Sequence, residues 1–284
     1  MWRCGFRTLA KAAALAAVCV VGAWLPGVPA GGVSSGLLGL QTAQAAEPGC
    51  RPDVAAFGAP VRRVSLKADE ARLTFVGHAT FLIESAQGIS AATDYNDYVR
   101  PRGTPVIATM NKAHSTHYSR NPDSGIAHVL RGWDPAGGKA EHDVTVSDMR
   151  VRNIPTNIRS FGGATDFDGN SIFVFEVGEL CIVHLGHLHH TLEPGQLRAI
   201  GRVDVLLVPV DGSYTLDSDG MFEVLKTLQA RIMIPMHFFG QTTLDRFLAK
   251  AGTLWPVERR DEPVLTVSRT GLPRQPTVIV LPGR

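Results

Sequence analysis

Seven of the ten histidines fall in three segments: His114 and His117; His184, His187, His189 and His190; and His237. Neutral imidazole is a good ligand for zinc and similar divalent ions, and a strand end can aim several rings at one point. His114 and His117 follow the apolar residues 106–110, so one strand-to-loop turn delivers both. His187, His189 and His190 follow the apolar residues 180–184 and Gly186, whose backbone freedom permits a sharp bend. His237 ends Ile234-Pro235-Met236, and in open α/β arrangements ligands gather outside such carboxyl ends. This spacing points to a metal site.

Around it stand other candidates. Asp94, at another strand end, is placed either to orient a ligand histidine or to act as general base. His78 lies between two early strands and is expected to line the site without ligating, and His190 is a candidate for metal or substrate. Asp211 and Tyr214 lie on the loop after a central apolar strand, facing the pocket. His128 and His142 sit in a long polar stretch and are expected in solvent.

The elements that must position these groups are legible from periodicity. Residues 73–76, 81–84 and 89–93 read as a meander, and residues 106–110 as a further strand. Residues 111–143 are polar and rich in Asn-Pro, Asp-Pro and Gly-Gly turns, so loops are expected there, with one short helix near 126–131. A connection that long in a compact domain is commonly functional. Strands follow at 149–154, 171–177 and 180–184. The pattern then alternates: helix 193–200, strand 203–210, helix 220–228, strand 232–236, helix 243–250, and strands at 265–267 and 278–281. A strand-rich first half and a βαβ-like second half fit two central sheets with helices outside.

The chain has 284 residues, 44% of them hydrophobic, with 28 basic against 26 acidic side chains and a formal charge of +2. That balance leaves no electrostatic footprint for nucleic acid. Arg3, Arg7 and Lys11 precede an apolar run at 12–25, and Ala43-Gln44-Ala45 offers a small-x-small cleavage site. Residues 1–46 therefore read as an export segment that directs the chain to the periplasm. Its apolar run is shorter than the ~20 residues of a membrane span, so no stable span is expected after cleavage. Residues 47–71 form an N-terminal extension and 72–284 the folded domain. Of the cysteines left after cleavage, Cys50 and Cys181, either a disulfide or a free core thiol at Cys181 is compatible with the sequence.

Leu73-Thr74-Phe75-Val76-Gly77-His78-Ala79-Thr80-Phe81-Leu82-Ile83-Glu84 resembles the opening strand pair of the metallo-β-lactamase superfamily, in its branch of ascorbate-phosphate lactonases and zinc-dependent hydrolases. Thr93-Asp94, Asn170-Ser171-Ile172-Phe173-Val174, His184-Leu185-Gly186-His187-Leu188-His189-His190, Tyr214-Thr215-Leu216-Asp217 and Ile234-Pro235-Met236-His237 continue the resemblance in order, from about residue 72 to 240. It implies an α/β fold, the four-layer αββα sandwich. It also implies a metal site, and there the departures fall. The family's His-x-His-x-Asp-His becomes Ser115, His117, Ser119 and Arg120, with His114 one residue from the expected place. The third family histidine should lie near Thr156, where Asn157 and Ile158 stand, and the bridging aspartate is His187.

A bridging carboxylate holds two cations about 3.5–4 Å apart and offsets their repulsion. Without it, His114, His117, His187 and His237 are expected to make a mononuclear site for zinc or another divalent transition metal, one per chain. The resemblance thus implies a metal-dependent hydrolase of a small ester, lactone or phosphodiester, acting through a metal-bound hydroxide. The alternative is a relative that binds metal without catalysis.

Overall fold

The computed structural model describes residues 65–160 and 162–283. The export segment and Cys50 lie outside the described residues. In chain order the elements are β1 (Glu70–Gly77), β2 (Thr80–Glu84), β3 (Ser90–Ala92), β4 (Ile107–Met110), β5 (His128–Arg131), β6 (Asp143–Val146), β7 (Met149–Arg159), β8 (Thr165–Val177) and β9 (Leu180–His184). Then come α1 (Pro194–Ile200), β10 (Val205–Pro209), α2 (Ser218–Leu228), β11 (Ile232–Met236), α3 (Gln241–Ala251), β12 (Val257–Arg259), β13 (Val264–Ser268) and β14 (Thr277–Val280).

Alternation of side chains across each strand sorts them into layers. In β1, Ala71, Leu73 and Phe75 face one way; in β8, Phe173, Phe175 and Val177 meet them from the opposite sheet. This is the core between a six-stranded sheet, β13-β1-β2-β3-β4-β5, and an eight-stranded one, β12-β14-β11-β10-β9-β8-β7-β6. The intervening positions of the second sheet, among them Ile172, Val174, Leu206 and Val208, pack under the helices. The second half of β8 and strands β9 to β11 are therefore apolar on both faces, which is why they read as continuous hydrophobic runs. Helix α2 offers Met221, Phe222, Val224 and Leu225 to this second core, and α3 offers Leu244, Phe247, Leu248 and Ala251, spacings that fall on one helical face. The Asp217 carboxylate accepts from the Gly220 N–H and starts α2.

The sandwich has the expected two inner sheets and a helical layer on the second. On the outer face of the first sheet, the described residues place loops instead of a helix, packing Tyr95, Ile126 and Trp133 onto Ala92, Ala108 and Met110. The helix expected near 126–131 is strand β5, paired in parallel with β4 from Ile107↔His128 to Met110↔Arg131. A free edge of β4 outweighs the weak helical preference of so short a segment. Edge strands β6 and β12 escaped notice because they are short: β6 alternates over only four residues, Asp143-Val144-Thr145-Val146, and β12 has three. Cys181 is half-buried and free, its sulfur accepting from Arg202 Nη2 at 3.3 Å.

Candidate metal centre

Strands β9, β10, β11 and β14 run parallel in one sheet, and β3 and β4 run parallel in the other. The carboxyl ends of β9, β10 and β11 lead into His187, Asp211 and His237. Those of β1, β3 and β4 lead into His78, Asp94 and the 111–117 turn. The two sheets are joined at this edge, where the His237 N–H donates to the His78 carbonyl at 2.7 Å. The turn is closed on itself, Asn111 N–H to His117 O at 3.0 Å and His117 N–H to His114 O at 2.9 Å. His78, Asp94 and His237 all have positive φ (51, 41 and 56°), a strained region for non-glycine residues.

One ligand nitrogen from each of His78, His114, His117 and His237 lies within 4.8 Å of the others. Nitrogens bound to one zinc ion at about 2.0–2.1 Å lie no more than about 4.2 Å apart, so a small closure would satisfy the ion. The hydrogen bonding behind the rings supports the same reading. His117 Nδ1–H donates to Asp94 Oδ2 at 2.5 Å, and His237 Nδ1–H donates to Asp211 Oδ1 at 2.9 Å. Each carboxylate thereby fixes a tautomer whose Nε2 carries a lone pair. Those two Nε2 atoms face each other at 3.0 Å. Two lone pairs at that distance repel unless a cation lies between them. His78 Nε2 is buried without a hydrogen-bond partner, an orphan that such an ion would satisfy. The donor set fits a divalent transition metal.

Burial, reinforced by the charges of neighbouring histidines, lowers the pKa of His114, His117 and His187 and pushes His78 down to about 3. All four are therefore neutral near pH 7, the ligating form. Burial pushes the Asp94 carboxyl up to about 6, against the opposing pull of His184 and the Asn111 amide. Burial also acts to raise Asp211, but bonds from His237, Thr215 and the backbone outweigh it and hold that carboxylate well below its usual range.

Three of the four histidines assigned as ligands, His114, His117 and His237, meet here, and His78, expected only to line the site, completes the group. His187 stands beside it in a different state. The Arg159 backbone N–H and its Nε–H both donate to His189 Nδ1, at 3.0 and 3.1 Å. His189 must then carry its proton on Nε2, and it donates that proton to His187 Nδ1 at 2.6 Å. The inward Nε2 of His187 consequently bears a hydrogen, aimed at His114 Nε2 at 3.0 Å. His187 is placed as a donor and lies outside the four-histidine group, where the sequence led to the expectation of a ligand.

Asp94 is fully buried, with one oxygen on His117 and the other accepting from Asn111 Nδ2 at 3.0 Å. Of the two roles expected for it, this placement matches orienting a histidine, since Asp94 has no exposed surface. His190 turns away: its Nε2 accepts from the Asn157 N–H at 3.1 Å and its Nδ1–H donates to the Thr191 carbonyl. His184 is structural, donating from Nε2 to the Ala79 carbonyl at 2.9 Å. Ser119 bonds Asp97 at 2.6 Å, and Arg120 is exposed. His142, expected in solvent, is half-buried with Nε2 on the Arg131 carbonyl at 2.7 Å.

Two asparagines, Asn111 and Asn170, were given no role at the site by the sequence. Asn111 ties Asp94 to the Ser171 N–H, and Asn170 accepts from the His187 N–H at 2.7 Å. Their advance signals were the position of Asn111 just beyond β4 and that of Asn170 at the head of the Asn170–Val174 motif within β8. Gly186 sits between them at φ 61°, where an added Cβ would lie 2.4 Å from Asn170 Oδ1 and 2.5 Å from Asn111 Nδ2. Gly186→Ala is expected to destabilise the fold by about 3 kcal/mol in chemical denaturation, through left-handed strain and broken buried hydrogen bonds. An unchanged midpoint would show that the asparagines yield freely.

A cleft of about 670 Å³ opens over the centre, floored by His114 and His187 and walled by Arg159, His189, Tyr214 and Phe239. Tyr214 and Phe239 are exposed, their rings 5.3 Å apart in a T-shaped pair. Asp211 Oδ2 holds the Tyr214 loop by accepting from the Ser213, Tyr214 and Thr215 N–H groups.

Fold and site together define a two-sheet sandwich with a histidine-rich metal-binding edge. The profile of the β-lactamase superfamily domain matches residues 72–237, more than half of the chain, and the protein belongs to that superfamily. It is 36% identical over 124 residues to a UPF0173 metal-dependent hydrolase of Thermoplasma acidophilum, a match spanning 42% of this chain and about half (52%) of that relative. It is 26% identical over 180 residues to a UPF0173 protein of Pyrococcus abyssi, covering 59% of this chain and 83% of the relative. Among solved structures it resembles a protein of Thermotoga maritima assigned as a Zn-dependent hydrolase of the metallo-β-lactamase superfamily. That likeness has a TM-score of 0.57 and 28% identity, and covers 75% of this chain and 100% of the other.

Proposed function

We propose that this protein is a metal-dependent hydrolase of a small ester, lactone or phosphodiester, working with one divalent transition metal, zinc by preference. The observation that carries this reading is the convergence of four histidines, two of which, His117 and His237, have their outer nitrogens held by buried carboxylates. The names of the Thermoplasma and Thermotoga relatives support it. His78, His114, His117 and His237 would hold the ion, with His114 Nε2 giving up the His187 N–H to do so. When bound, it supplies Lewis acidity, which makes water a nucleophile near neutral pH and polarises the scissile group.

The chain's own residues do the rest. Asp94 and Asp211 fix the tautomers of His117 and His237 and supply negative charge from behind the ligands. Both are consumed there, and no carboxylate lines the cleft among the described residues, so none of them offers the anionic bridge that a second cation requires. This favours a single ion. His187 presents an N–H beside the ligands, placed to donate to negative charge developing on a substrate oxygen. The Tyr214–Phe239 pair walls the cleft and shields the reacting group from water.

Removal of metal with a chelator should abolish hydrolysis of a panel of lactones and phosphodiesters, and one equivalent of zinc should restore it. About one metal per chain without turnover on any ester would leave a metal-binding relative, and turnover that survives complete metal removal would sink the reading.

A further inference from the structure

Strands β10, β11 and β14 lie side by side in the second sheet, and an arginine precedes each: Arg202, Arg231 and Arg274. Parallel strands sit about 4.8 Å apart, so the sheet gathers these side chains at the edge opposite the metal centre. Arg269 joins them from the end of β13. All four are exposed and line one cleft of about 590 Å³, with Leu228, Leu272 and Pro273 giving it an apolar side.

Three of the guanidiniums are held in place by carbonyls. Arg202 Nη2 and Arg269 Nη1 both donate to the Glu179 carbonyl, at 2.5 and 3.4 Å, and Arg231 donates to the Arg274 carbonyl. Only Arg202 has a carboxylate, Asp204 at 3.1 Å, whose same oxygen also takes the Cys181 N–H. Arg231, Arg269 and Arg274 pair with no carboxylate among the described residues. A neighbouring hollow shares Arg231 and adds Lys226. The chain as a whole is nearly balanced, 28 basic against 26 acidic groups, so a general excess of positive charge does not account for this cluster. Like charges set together repel unless an anion joins them. The planar fork of arginine matches phosphate oxygens two at a time.

We propose that this cleft is a second ligand site, separate from the metal centre, for a phosphate-bearing molecule with at least two anionic groups. Calorimetric titration of the full chain with inorganic pyrophosphate tests it, in chelator so that the histidine centre takes no part. Saturable one-to-one binding is expected, weakened at least tenfold by the R231Q/R274Q pair and unchanged by R198Q, which lies outside the cleft. Arg269→Gln, which removes only the long 3.4 Å contact to Glu179, gives a second variant with little risk to folding, and it should weaken binding severalfold. Co-sedimentation with vesicles of 30 mol% phosphatidylglycerol in phosphatidylcholine separates the sources of phosphate. Vesicle binding lost in the same variants would assign the cleft to a lipid headgroup, and pyrophosphate binding without vesicle binding to a soluble ligand. Neither kind of binding, or equal binding in wild type and variants that melt alike, would overturn the proposal.

Discussion

His117→Ala and His237→Ala should each lose the metal and the hydrolytic activity together, whereas His187→Ala should keep the metal and lose about 10²-fold in kcat. The first two supply the facing nitrogens 3.0 Å apart at the middle of the cluster, both fully buried. Removing either takes away a donor whose ring a carboxylate orients, and leaves that carboxylate buried without its imidazole. His187 differs because Arg159 and His189 force its proton onto the inward nitrogen. As a hydrogen-bond donor to the transition state its removal should cost about 10²–10³-fold, the usual effect of deleting one such donor. Metal per chain after gel filtration, measured with kcat on the same sample, reads both quantities. Loss of metal from His187→Ala as complete as from His117→Ala would make His187 a ligand and defeat the tautomer argument. His78→Ala should fall between, keeping the fold while weakening metal retention, since its Nε2 has no other partner.

Asp211→Asn should weaken zinc binding by about 10–100-fold with little change in volume, the usual range for such supporting partners. An amide can still accept from His237 Nδ1–H, but it carries no charge, so the ring becomes less basic and the cation loses a counter-charge. The same carboxylate also takes three backbone N–H groups and the Thr215 hydroxyl, so the loop bearing Tyr214 should loosen as well. Competition against a chromophoric chelator gives the affinity, and proteolytic nicking at the 211–217 loop reports the loosening. Zinc affinity equal to wild type would show that the carboxylate is structural alone. Asp94→Asn behind His117 should weaken binding in the same direction, and should also destabilise the fold, because Asp94 is fully buried and tied through Asn111 to the other sheet.

The strands and helices that carry the site were mostly readable because burial on one or both faces imposes a period. The apolar runs at 180–184 and 232–236 coincide with β9 and β11 as observed. Elements too short to show such an imprint clearly were missed or misread: β5 takes its form from pairing with β4, and β6 and β12 are brief strands at sheet edges. The histidines were legible for a related reason, since each follows an apolar strand whose end must open onto an edge.

Their roles were another matter. His78 looked peripheral because nothing local shows that the end of β1 meets the end of β11; the His237–His78 backbone bond that joins them spans more than half of the domain. His187 looked like a ligand because it occupies the family's aspartate position. Its tautomer depends on Arg159, which lies on another strand. Asp94 looked as able to act as a base as to orient a ring, until burial removed the first option. The sequence alone determined that imidazoles and carboxylates would collect at the ends of adjacent strands, because periodicity places strand ends and chain order places the residues on them. Only the tertiary structure decided which nitrogens carry lone pairs and which carry protons, because that assignment is settled by hydrogen-bond partners brought together from distant parts of the chain.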